Sequence, residues 1–385
     1  MNARPPSLNC LCVNAGSSSL KLAIYKVSPH GEECLNAVAA LEIGRSESAV
    51  HVGGKHSPQP LPDHAVALDV LLAELKQAQV DAVGHRVVHG GNHTAPERIT
   101  SDLLRILEAL TALAPLHNPP ALEAMRIVGT RLPGIPQVAC FDTAFHATLP
   151  EVARTLPLPH RFRERGIRRY GFHGLSYEYI VRRLGARAKG LVVVAHLGNG
   201  ASLAALRDGR SIETTMGMTP TGGVMMGTRT GDLDPGVVFY LLREMALNTD
   251  ELEHVLDHES GLLGVSGKTA DMATLLTMDE PDARLAIEIF SYDVRKAVGA
   301  LAAALGGLDR LVFTGGIGEH AAPVRSAVCA GLEHFGLVLD PSANTANAEQ
   351  ISSSESRCTV NVIPTDEDAM IARHVYELLL ANPAT

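Results

Sequence analysis

Short apolar runs that end in small polar turns recur along the chain and predict β-strands. Four such runs cover residues 11–13, 138–141, 191–195 and 311–313. Each is followed by a turn rich in Gly, Asn, Ser, Thr or Asp. Strands of this kind, separated by helical segments, are typical of α/β folds, in which ligands gather at the strand ends.

Apolar residues at every third or fourth position predict helices between these strands. One stripe consists of Phe290, Val294, Val298, Leu301 and Leu305, and another of Ile371, Val375, Leu378 and Leu379. Asn118 followed by Pro119 predicts a helix start, with Asn118 as the N-cap. The last helix is predicted to open at Glu367.

Domain boundaries are weakly marked in the sequence. Residues 44–63, rich in Gly, Ser, His and Pro, form the stretch most typical of a loop. Residues 10–25 resemble residues 191–206, because both pass from an apolar run through a small polar turn into renewed alternation. This likeness indicates a duplicated fold without proving one.

Composition narrows the function classes. The 385 residues are 46% hydrophobic and 19% charged, with a net charge of -9, as in a globular protein of two or three domains. An acidic chain argues against non-specific nucleic-acid binding, and no apolar run approaches the roughly 20 residues of a membrane span. Six scattered cysteines, among them Cys12 and Cys140 in apolar runs, and an N-terminus without a signal-peptide pattern predict a reducing, cytoplasmic location.

The first candidate for ligand chemistry is the turn that contains Asn14, Ser17, Ser19 and Lys21. Glycine allows a close backbone approach, while hydroxyl and amide groups can surround phosphate oxygens. A plain polar hairpin turn explains the same residues equally well. The segment is not a Walker A loop, because the required glycine and lysine spacing is missing.

Residues 84–91 (GHRVVHGG) are the second candidate. The i, i+4 spacing of His85 and His89 suits zinc on a helix, but the valine pair and flanking glycines favour a strand. On a strand, Arg86 and Val88 share one face, which suits a short carboxylate with a methyl tail. A surface ion pair is the ordinary alternative for a lone arginine.

Further groups that suit an anionic ligand lie in glycine-bounded turns. His173 follows Phe172, and Arg229 lies in the segment 227–236. Together with Arg86 and Lys21 they indicate a cationic site in an acidic protein. Asp142 at a strand end and Glu367 at a helix start suit either a Mg²⁺ site or structural caps.

In order, these motifs resemble those of the acetate kinase family over nearly the whole chain. The matching segments are NAGSSSLK at 14–21, GHRVVHGG at 84–91, LHNPP at 116–120, FDTAFH at 141–146, YGFHG at 170–174, HLGNGAS at 196–202, MGTRTGDLDPG at 226–236, FTGGIGE at 313–319 and IPTDE at 363–367. The family belongs to the acetate and sugar kinase, heat-shock and actin superfamily. The resemblance implies an α/β, two-domain duplicated ribonuclease-H-like (actin-like ATPase) fold with an interdomain ATP cleft.

The resemblance also implies domain limits and partners. The N-terminal domain is expected at 1–145 plus a C-terminal helix at about 373–385. The C-terminal domain, with nucleotide binding and the dimer interface, is expected at 146–372. Acetate or acetyl phosphate and ATP or ADP are the expected partners, in a homodimer that binds neither nucleic acid nor membrane. Mg²⁺, with Mn²⁺ as an alternative, is the expected metal.

Individual roles carry over by the same resemblance. The catalytic residues implied are Asn14, Arg86, Asp142, His173 and Arg229, with His117 as a lesser contributor. The acetate pocket implied consists of Arg86, Val88, Leu116, Phe172 and Pro220. The ATP-binding residues implied are Ser17, Ser19, Lys21, His196, Gly198, Asn199, Gly200, Asp271, Met272, Gly315, Gly316, Ile317 and Gly318. The metal residues implied are Asn14, Asp142 and Glu367.

The reaction implied is reversible in-line phosphoryl transfer from ATP to acetate. A propionate or butyrate kinase, a non-catalytic nucleotide-binding regulator and a sugar kinase are the alternatives. Departures from the family pattern occur at Cys10, Gly222, His320 and Asp366, and Ala273 stands where the family usually has Arg. The last departure predicts altered nucleotide preference.

Overall fold

The computed structural model describes residues 7–75 and 79–381. Its strands are β1 (Leu8–Ala15), β2 (Ser19–Ser28), β3 (Gly31–Leu41), β4 (Ala49–Val52), β5 (Lys55–Pro58), β6 (Ala82–Val87), β7 (Glu97–Arg98), β8 (Gln137–Phe141), β9 (Leu191–Leu197), β10 (Ala201–Arg207), β11 (Arg210–Thr214), β12 (Arg310–Thr314) and β13 (Thr359–Val362).

The α-helices lie between and after these strands. They are α1 (His64–Glu74), α2 (Ser101–Ala109), α3 (Asn118–Arg131), α4 (Glu151–Arg154), α5 (His160–Arg163), α6 (Gly174–Leu184), α7 (Pro235–Arg243), α8 (Thr249–His258), α9 (Gly261–Ser266), α10 (Met272–Leu275), α11 (Pro281–Leu305), α12 (Gly315–His320), α13 (Ala322–Cys329), α14 (Pro341–Thr345) and α15 (Glu367–Tyr376). Short 3-10 segments lie at Thr111–Leu113, Ala144–Thr148, Gly185–Ala188 and Glu333–Phe335, and a π-helical turn at Glu377–Ala381.

The chain divides into two compact units. The first comprises Met1–Phe145, Gly174–Tyr179 and Asp366–Thr385, and the second comprises His146–His173 and Ile180–Thr365. The sequence placed the C-terminal return at about residue 373 and left the segment 174–179 in the other domain. Residues 382–385 of the predicted last helix, like residues 1–6, lie outside the described residues.

Both units contain a sheet, and five strands follow the same order in each: β3-β2-β1-β6-β8 in the first and β11-β10-β9-β12-β13 in the second. In the first unit the order is β5-β4-β3-β2-β1-β6-β8-β7, and in the second it is β11-β10-β9-β12-β13. The first three strands of each sheet pair antiparallel (β1–β3 and β9–β11), and two later strands then add parallel to the first. The repeated order confirms the α/β class and the duplication that the sequence indicated, since 10–25 and 191–206 are the equivalent hairpins.

Two apolar layers cover the two faces of the first sheet, because alternate residues of a strand point to opposite sides. Leu11 and Val13 belong to the layer that contains α1 and α3. Cys10 and Cys12 belong to the layer that contains α15. A Cβ on Gly84 would lie 2.3 Å from Ile371 Cγ2, so α15 packs directly on the β6 backbone. This close packing is what brings the start of α15 to the sheet.

In the second unit the long helix α11 packs on the sheet. All five residues of its predicted stripe, from Phe290 to Leu305, are buried. In α15, Ile371 and Val375 are buried as predicted, whereas Leu378 and Leu379 are partly buried and lie in the π-helical turn. Periodicity therefore identified both helices correctly.

Three local predictions were wrong. The strand expected over 85–89 ends at Val87. His117 is the N-cap of α3, and Asn118 is its first residue, with its side chain engaged elsewhere. The stretch 44–63 is not simply a loop, because β4 and β5 pair there as an antiparallel hairpin.

Two further findings concern the cysteines and the helices that could cross a membrane. All six cysteines are free thiols; five are buried and Cys34 is exposed, which agrees with the buried reduced thiols expected at Cys12 and Cys140. Within the part of the chain that the structure describes, no helix combines the length and apolarity needed to cross a bilayer.

Candidate functional site

A buried ion pair lies at the carboxyl edge of the first sheet. Arg86, near the end of β6, donates from Nε (3.0 Å) and Nη2 (2.7 Å) to Asp142 Oδ2, which directly follows β8. Its Nη1 faces Asn14 Oδ1 at 3.5 Å, and Glu367 Oε2 lies 3.4 Å from Nε. The structure therefore brings together four sequence-predicted residues from β1, β6, α15 and the β8 end.

The electrostatics of this group are unusual. The side chain of Asp142 is fully buried and that of Glu367 is 15% exposed. Burial raises the pKa of Asp142 above its ordinary value; Arg86 opposes the rise and Glu367 adds to it. Burial and the neighbouring carboxylates likewise raise the pKa of Asp368 to about 6. The first unit thus has more carboxylates here than Arg86 alone neutralises.

One carboxylate oxygen of this group is not engaged by Arg86. Asp142 Oδ1 is buried and accepts no hydrogen bond of normal geometry among the described residues. Both bonds from Arg86 go to Oδ2. A buried carboxylate oxygen left in this way is costly unless a donor or cation reaches it.

The Ser-rich turn joins β1 to β2 beside this group. Asn14 and Lys21 face each other across the β1–β2 pair. Ser17 is exposed, Ser19 is half-buried, and the Gly16 N–H donates to Ser19 O at 2.8 Å. The turn is anchored from behind by His64, whose Nε2 lies 2.8 Å from Gly16 O. A turn that is exposed on one side and held in place on the other suits a phosphate ligand.

Beyond β6 the backbone turns and is held by side chains. Val88 is 8% exposed. The next residue, His89, exchanges two backbone hydrogen bonds with the Asn118 side chain. Leu116 and His117, which immediately precede Asn118, are half-buried. Val88 and Leu116 therefore lie on two segments that Asn118 joins.

In the second unit, His173 occupies a constrained position. Its backbone is left-handed (φ 57°), and its Nδ1 lies 2.9 Å from Ser202 Oγ. Its ring stacks on His196 with centroids 4.4 Å apart. A non-glycine residue in this conformation is uncommon and is often found at functional sites.

Arg229 lies near His173. A Cβ on Gly200 would be 3.3 Å from His173 Nε2 and 3.6 Å from Arg229 Nη1, so both side chains border this glycine. Arg229 Nη1 donates to Pro220 O at 3.3 Å. The structure thus groups His173, His196, Arg229 and Pro220 around the β9–β10 turn.

That turn is the counterpart of the Ser-rich turn in the duplicated topology. The Gly198 N–H donates to Gly200 O at 3.1 Å, and Asn199 O accepts from the Gly227 N–H at 2.9 Å. The Asn199 side chain packs closely on Gly227, because a Cβ there would lie 2.0 Å from Asn199 Oδ1. The Arg229 segment and the predicted second phosphate loop therefore pack as one piece.

The predicted nucleotide residues form two further segments of the second unit. Gly315, with φ 76°, follows β12, and its N–H donates to Glu319 Oε1 at 2.9 Å. Gly316 is exposed, with open space where a Cβ would stand. Asp271 is exposed and caps α10 through the Thr274 N–H, Met272 is buried, and Ala273 is exposed.

Several supporting residues escaped the sequence reasoning. His146 is buried and bridges Phe172 O (2.9 Å) and Ser211 Oγ (2.8 Å). Burial lowers its pKa to about 4, so the ring is neutral. Glu319 Oε1 also accepts from the Thr365 N–H at 3.2 Å. The FDTAFH and GGIGE motifs contain His146 and Glu319, but nothing in those segments alone indicates these distant partners.

Among residues 7–75 and 79–381, no three His, Cys, Asp or Glu side chains are placed to hold one metal ion together. The positions of His85 and His89 give no support for a zinc site. His85 is buried against Gln137 at 2.7 Å, and burial lowers its pKa to about 4. His89 contacts its own turn through the Gly91 N–H.

Comparisons with known proteins extend these observations. A family model described as the acetokinase family matches residues 9–373. The chain is 48% identical to the acetate kinase of Rhodopseudomonas palustris (strain ATCC BAA-98 / CGA009), over 96% of this chain and 98% of that protein. The crystal structure of Porphyromonas gingivalis acetate kinase superposes with a TM-score of 0.86 at 38% identity, over 96% of this chain and 99% of that one. A propionate kinase from Francisella tularensis subsp. tularensis SCHU S4 superposes with a TM-score of 0.88 at 37% identity, over 95% and 98%. The resemblance that the motifs indicated is confirmed, and the chain belongs to the acetokinase family.

Proposed function

We propose that the protein is an acetate kinase, which transfers the γ-phosphoryl group of ATP to acetate, reversibly and directly. The buried Arg86–Asp142 pair, with Asn14 and Glu367 beside it, is the observation that carries the proposal. The similarity to acetate kinases over almost the whole chain supports the choice of substrate. Since ATP is the phosphoryl donor, we place the reaction in the cytoplasm.

Arg86 binds the acetate carboxylate in this proposal. Asp142 holds Nε and Nη2, which fixes the guanidinium plane. Nη1 is left with one long contact among residues 7–75 and 79–381, to Asn14 Oδ1 at 3.5 Å. A long contact of this kind is readily exchanged for a charge-assisted bond to a carboxylate. Acetate is already an anion, so no strong general base is required for its attack.

His173 and Arg229 stabilise the transferring phosphoryl group. Both side chains border Gly200, and Ser202 orients the His173 ring through Nδ1. Fixed donors of this kind stabilise charge that develops on the phosphoryl oxygens in the transition state. We assign ATP binding to three segments of the second unit: Gly198–Gly200, Asp271–Met272 and Gly315–Gly318. In the first unit we assign it to Ser17, Ser19 and Lys21.

The residues present fit a hard divalent cation. Asp142 Oδ1 is a buried oxygen without a hydrogen bond, and Glu367 raises the negative charge beside it. We therefore assign Asp142 and Glu367, with Asn14, as the groups that would hold Mg²⁺, or Mn²⁺, whose preferred ligands are oxygens. When bound, the ion neutralises phosphate charge.

The residues that we assign to the methyl group of acetate are Val88 and Leu116 in the first unit, and Phe172 and Pro220 in the second. A propionate kinase is the second candidate, because a structure with that name superposes on this chain as well as acetate kinase does. Hydroxamate trapping of the acyl phosphate, with acetate, propionate or butyrate and with or without Mg-ATP, tests both. Acetate should give the highest kcat/KM; no product from any acid would favour a non-catalytic nucleotide-binding regulator.

Nucleotide choice is proposed to be relaxed. Ala273, on the exposed side of α10 next to Asp271, offers no polar group to a purine or ribose. One missing polar contact is worth about 1 kcal/mol, so ATP and GTP should support rates within roughly tenfold. Ala273→Arg should widen that ratio, whereas a strict requirement for ATP in the natural chain would contradict the proposal.

We also propose a homodimer through the second unit. Helix α7 is apolar, yet none of its residues is buried, and Phe239 and Tyr240 are 53% and 58% exposed. On α11, Leu285, Ile289 and Tyr292 are exposed at helical spacing. Sedimentation should show a dimer that Phe239→Glu disrupts. Val152→Glu, at an isolated exposed valine, is the matched control and should leave the dimer intact.

A further inference from the structure

Asn118 is buried at the start of α3, and its side chain bonds to both backbone groups of one residue, His89. Only 1% of the residue is exposed. Its Oδ1 accepts from the His89 N–H at 3.2 Å, and its Nδ2 donates to His89 O at 3.1 Å. The amide thus pairs with His89 as a neighbouring strand residue would, although β6 has already ended at Val87.

Helix formation does not explain this asparagine. The Asn118 backbone N–H donates to Ala114 O at 3.0 Å, and the side-chain amide bonds to His89, which lies outside α3. Asparagine is also a weaker helix former than alanine. The side chain therefore serves the contact with His89 rather than the helix.

The contact with His89 fixes the turn that follows the end of β6 at Val87. Within this turn the Gly90 N–H donates to Thr143 Oγ1 at 3.2 Å, and the Gly91 N–H donates to His89 Nδ1 at 3.1 Å. Thr143 is the residue that follows Asp142, so this hydrogen bond joins the turn to the end of β8. Asn118 ties the same turn to the segment that contains Leu116.

We propose that Asn118 is a positioning residue that sets the spacing between Val88 and Leu116 and so limits the chain length of the carboxylic acid. Val88 directly precedes His89, and Leu116 lies two residues before Asn118. The two hydrogen bonds join these segments at one point. This inference rests on the proposed function, because it assumes that both side chains line the acid pocket.

Asn118→Ala removes both hydrogen bonds and tests the assignment. The acetate KM should rise roughly tenfold, and the propionate-to-acetate ratio of kcat/KM should rise by a similar factor. The KM for ATP should stay unchanged. Because Val88→Ala opens the same pocket, the two substitutions should be non-additive in this ratio.

Met125→Ala is the matched control. Met125 lies on the same helix, is 2% exposed and packs in a neighbouring apolar cluster with Val87 and Phe141. Its truncation should lower the melting temperature without changing the acid ratio. If Asn118→Ala behaves in the same way, Asn118 is merely structural and the inference is wrong.

Asn118→Asp keeps the size of the side chain and separates the two bonds. The introduced carboxylate accepts from the His89 N–H but, when ionised, cannot donate to His89 O. Burial beside a carbonyl raises the pKa of such a carboxyl, so the protonated form regains the donor at lower pH. The KM defect relative to the natural chain should therefore shrink between pH 8 and pH 6; an equal defect at both pH values would contradict the two-bond assignment.

Failure of this inference is distinguishable from failure of the proposed function. If the natural chain and Met125→Ala make no acyl phosphate from acetate, the proposed function is wrong. If both are active and the acid ratio of Asn118→Ala matches theirs, only the role of Asn118 is wrong.

Discussion

Arg86 combines a fixed orientation with a nitrogen, Nη1, that makes a long contact of 3.5 Å to Asn14 Oδ1. The two bonds to Asp142 lie on one side of its guanidinium, and both end on a single oxygen. Burial opposes the positive charge, but the facing carboxylates outweigh it and raise the pKa of Arg86. The guanidinium is therefore charged at all working pH values and held still, which is what recognition of a small carboxylate requires.

Loss of either candidate arginine should slow the reaction strongly. Arg86→Ala and Arg229→Ala are each expected to lower kcat by about 100-fold or more, because a fixed donor to transition-state charge is worth a few kcal/mol. Lysine at either position should restore only part of the rate, since a point charge lacks the planar fork. Arg98, exposed on β7, provides the control, and its alanine variant should retain normal kinetics.

Asp142 and Glu367 should control the metal dependence. Asp142→Asn and Glu367→Gln each remove a charge beside the unpaired Asp142 Oδ1, so more Mg²⁺ should be needed for half-maximal rate. Asp142→Asn should also lower the melting temperature, because it removes the charged partner that accepts two hydrogen bonds from Arg86. Asp102→Asn, at an exposed acid on α2, should match the natural chain. Metal titrations that superpose for all four proteins would show that both acids are purely structural.

The sequence predicted the charged and polar side chains of recognisable motifs, and it missed contacts between residues that are far apart in the chain. Asn14, Arg86, Asp142 and Glu367 lie in recognisable segments, and they meet in the structure. His64, which anchors the Ser-rich turn, lies 48 residues from Gly16. Asp366 stands where the family usually has Asn, yet it caps α15 and accepts from Tyr25, 341 residues away. No local pattern indicates such pairs.

Helix α15 brings Glu367 to the site because β6 has a glycine under it. A Cβ on Gly84 would lie 2.3 Å from Ile371 Cγ2 and 2.8 Å from Val375 Cγ2. Both are β-branched residues on a buried helix face, and their side chains have little rotational freedom there. Any side chain at position 84 must therefore displace the helix itself.

Gly84→Ala should consequently destabilise the protein and slow the reaction together. Overpacking of this kind costs about 1–3 kcal/mol of unfolding free energy, and displacement of α15 moves Glu367 from Arg86. Gly299→Ala offers a matched comparison, because Gly299 lies within α11 with open space around its Cβ position. That variant should be slightly more stable, by about 0.5–1 kcal/mol, and fully active. Denaturant unfolding and steady-state kinetics measure both effects.

Element predictions succeeded where one face is buried and failed where no face is. The predicted α11 stripe repeats over about four turns and all its residues are buried, so the sequence shows its period clearly. All four residues of β5 are exposed, so this strand of the β4–β5 hairpin shows no alternation of buried and exposed positions that the sequence could reveal. The strand expected over 85–89 ends early because side chains, not a neighbouring strand, bind the backbone after Val87.

At the scale of the whole molecule, each unit contains a buried neutral histidine. His85 lies in the first unit and His146 in the second, and burial lowers the pKa of each from 6.5 to about 4. Both rings take up a proton more readily when the chain is unfolded. The stabilisation from their neutral forms is fully present above the unfolded pKa of 6.5 and is lost as the pH falls towards 4.

Acidification from pH 7 to pH 5 should therefore weaken both units through the same chemistry. The shifts correspond to about 2 kcal/mol of unfolding free energy for each histidine over that interval. His85→Gln and His146→Gln remove one titrating ring each, so each variant should lose less stability than the natural chain on going to pH 5, even if it is less stable at pH 7. His30→Gln, at an exposed turn, should keep the natural pH dependence. Denaturant unfolding at the two pH values measures these slopes, and a slope unchanged by both buried substitutions would show that other groups govern the acid response. Because the two rings lie in different units, their effects on the slope should add.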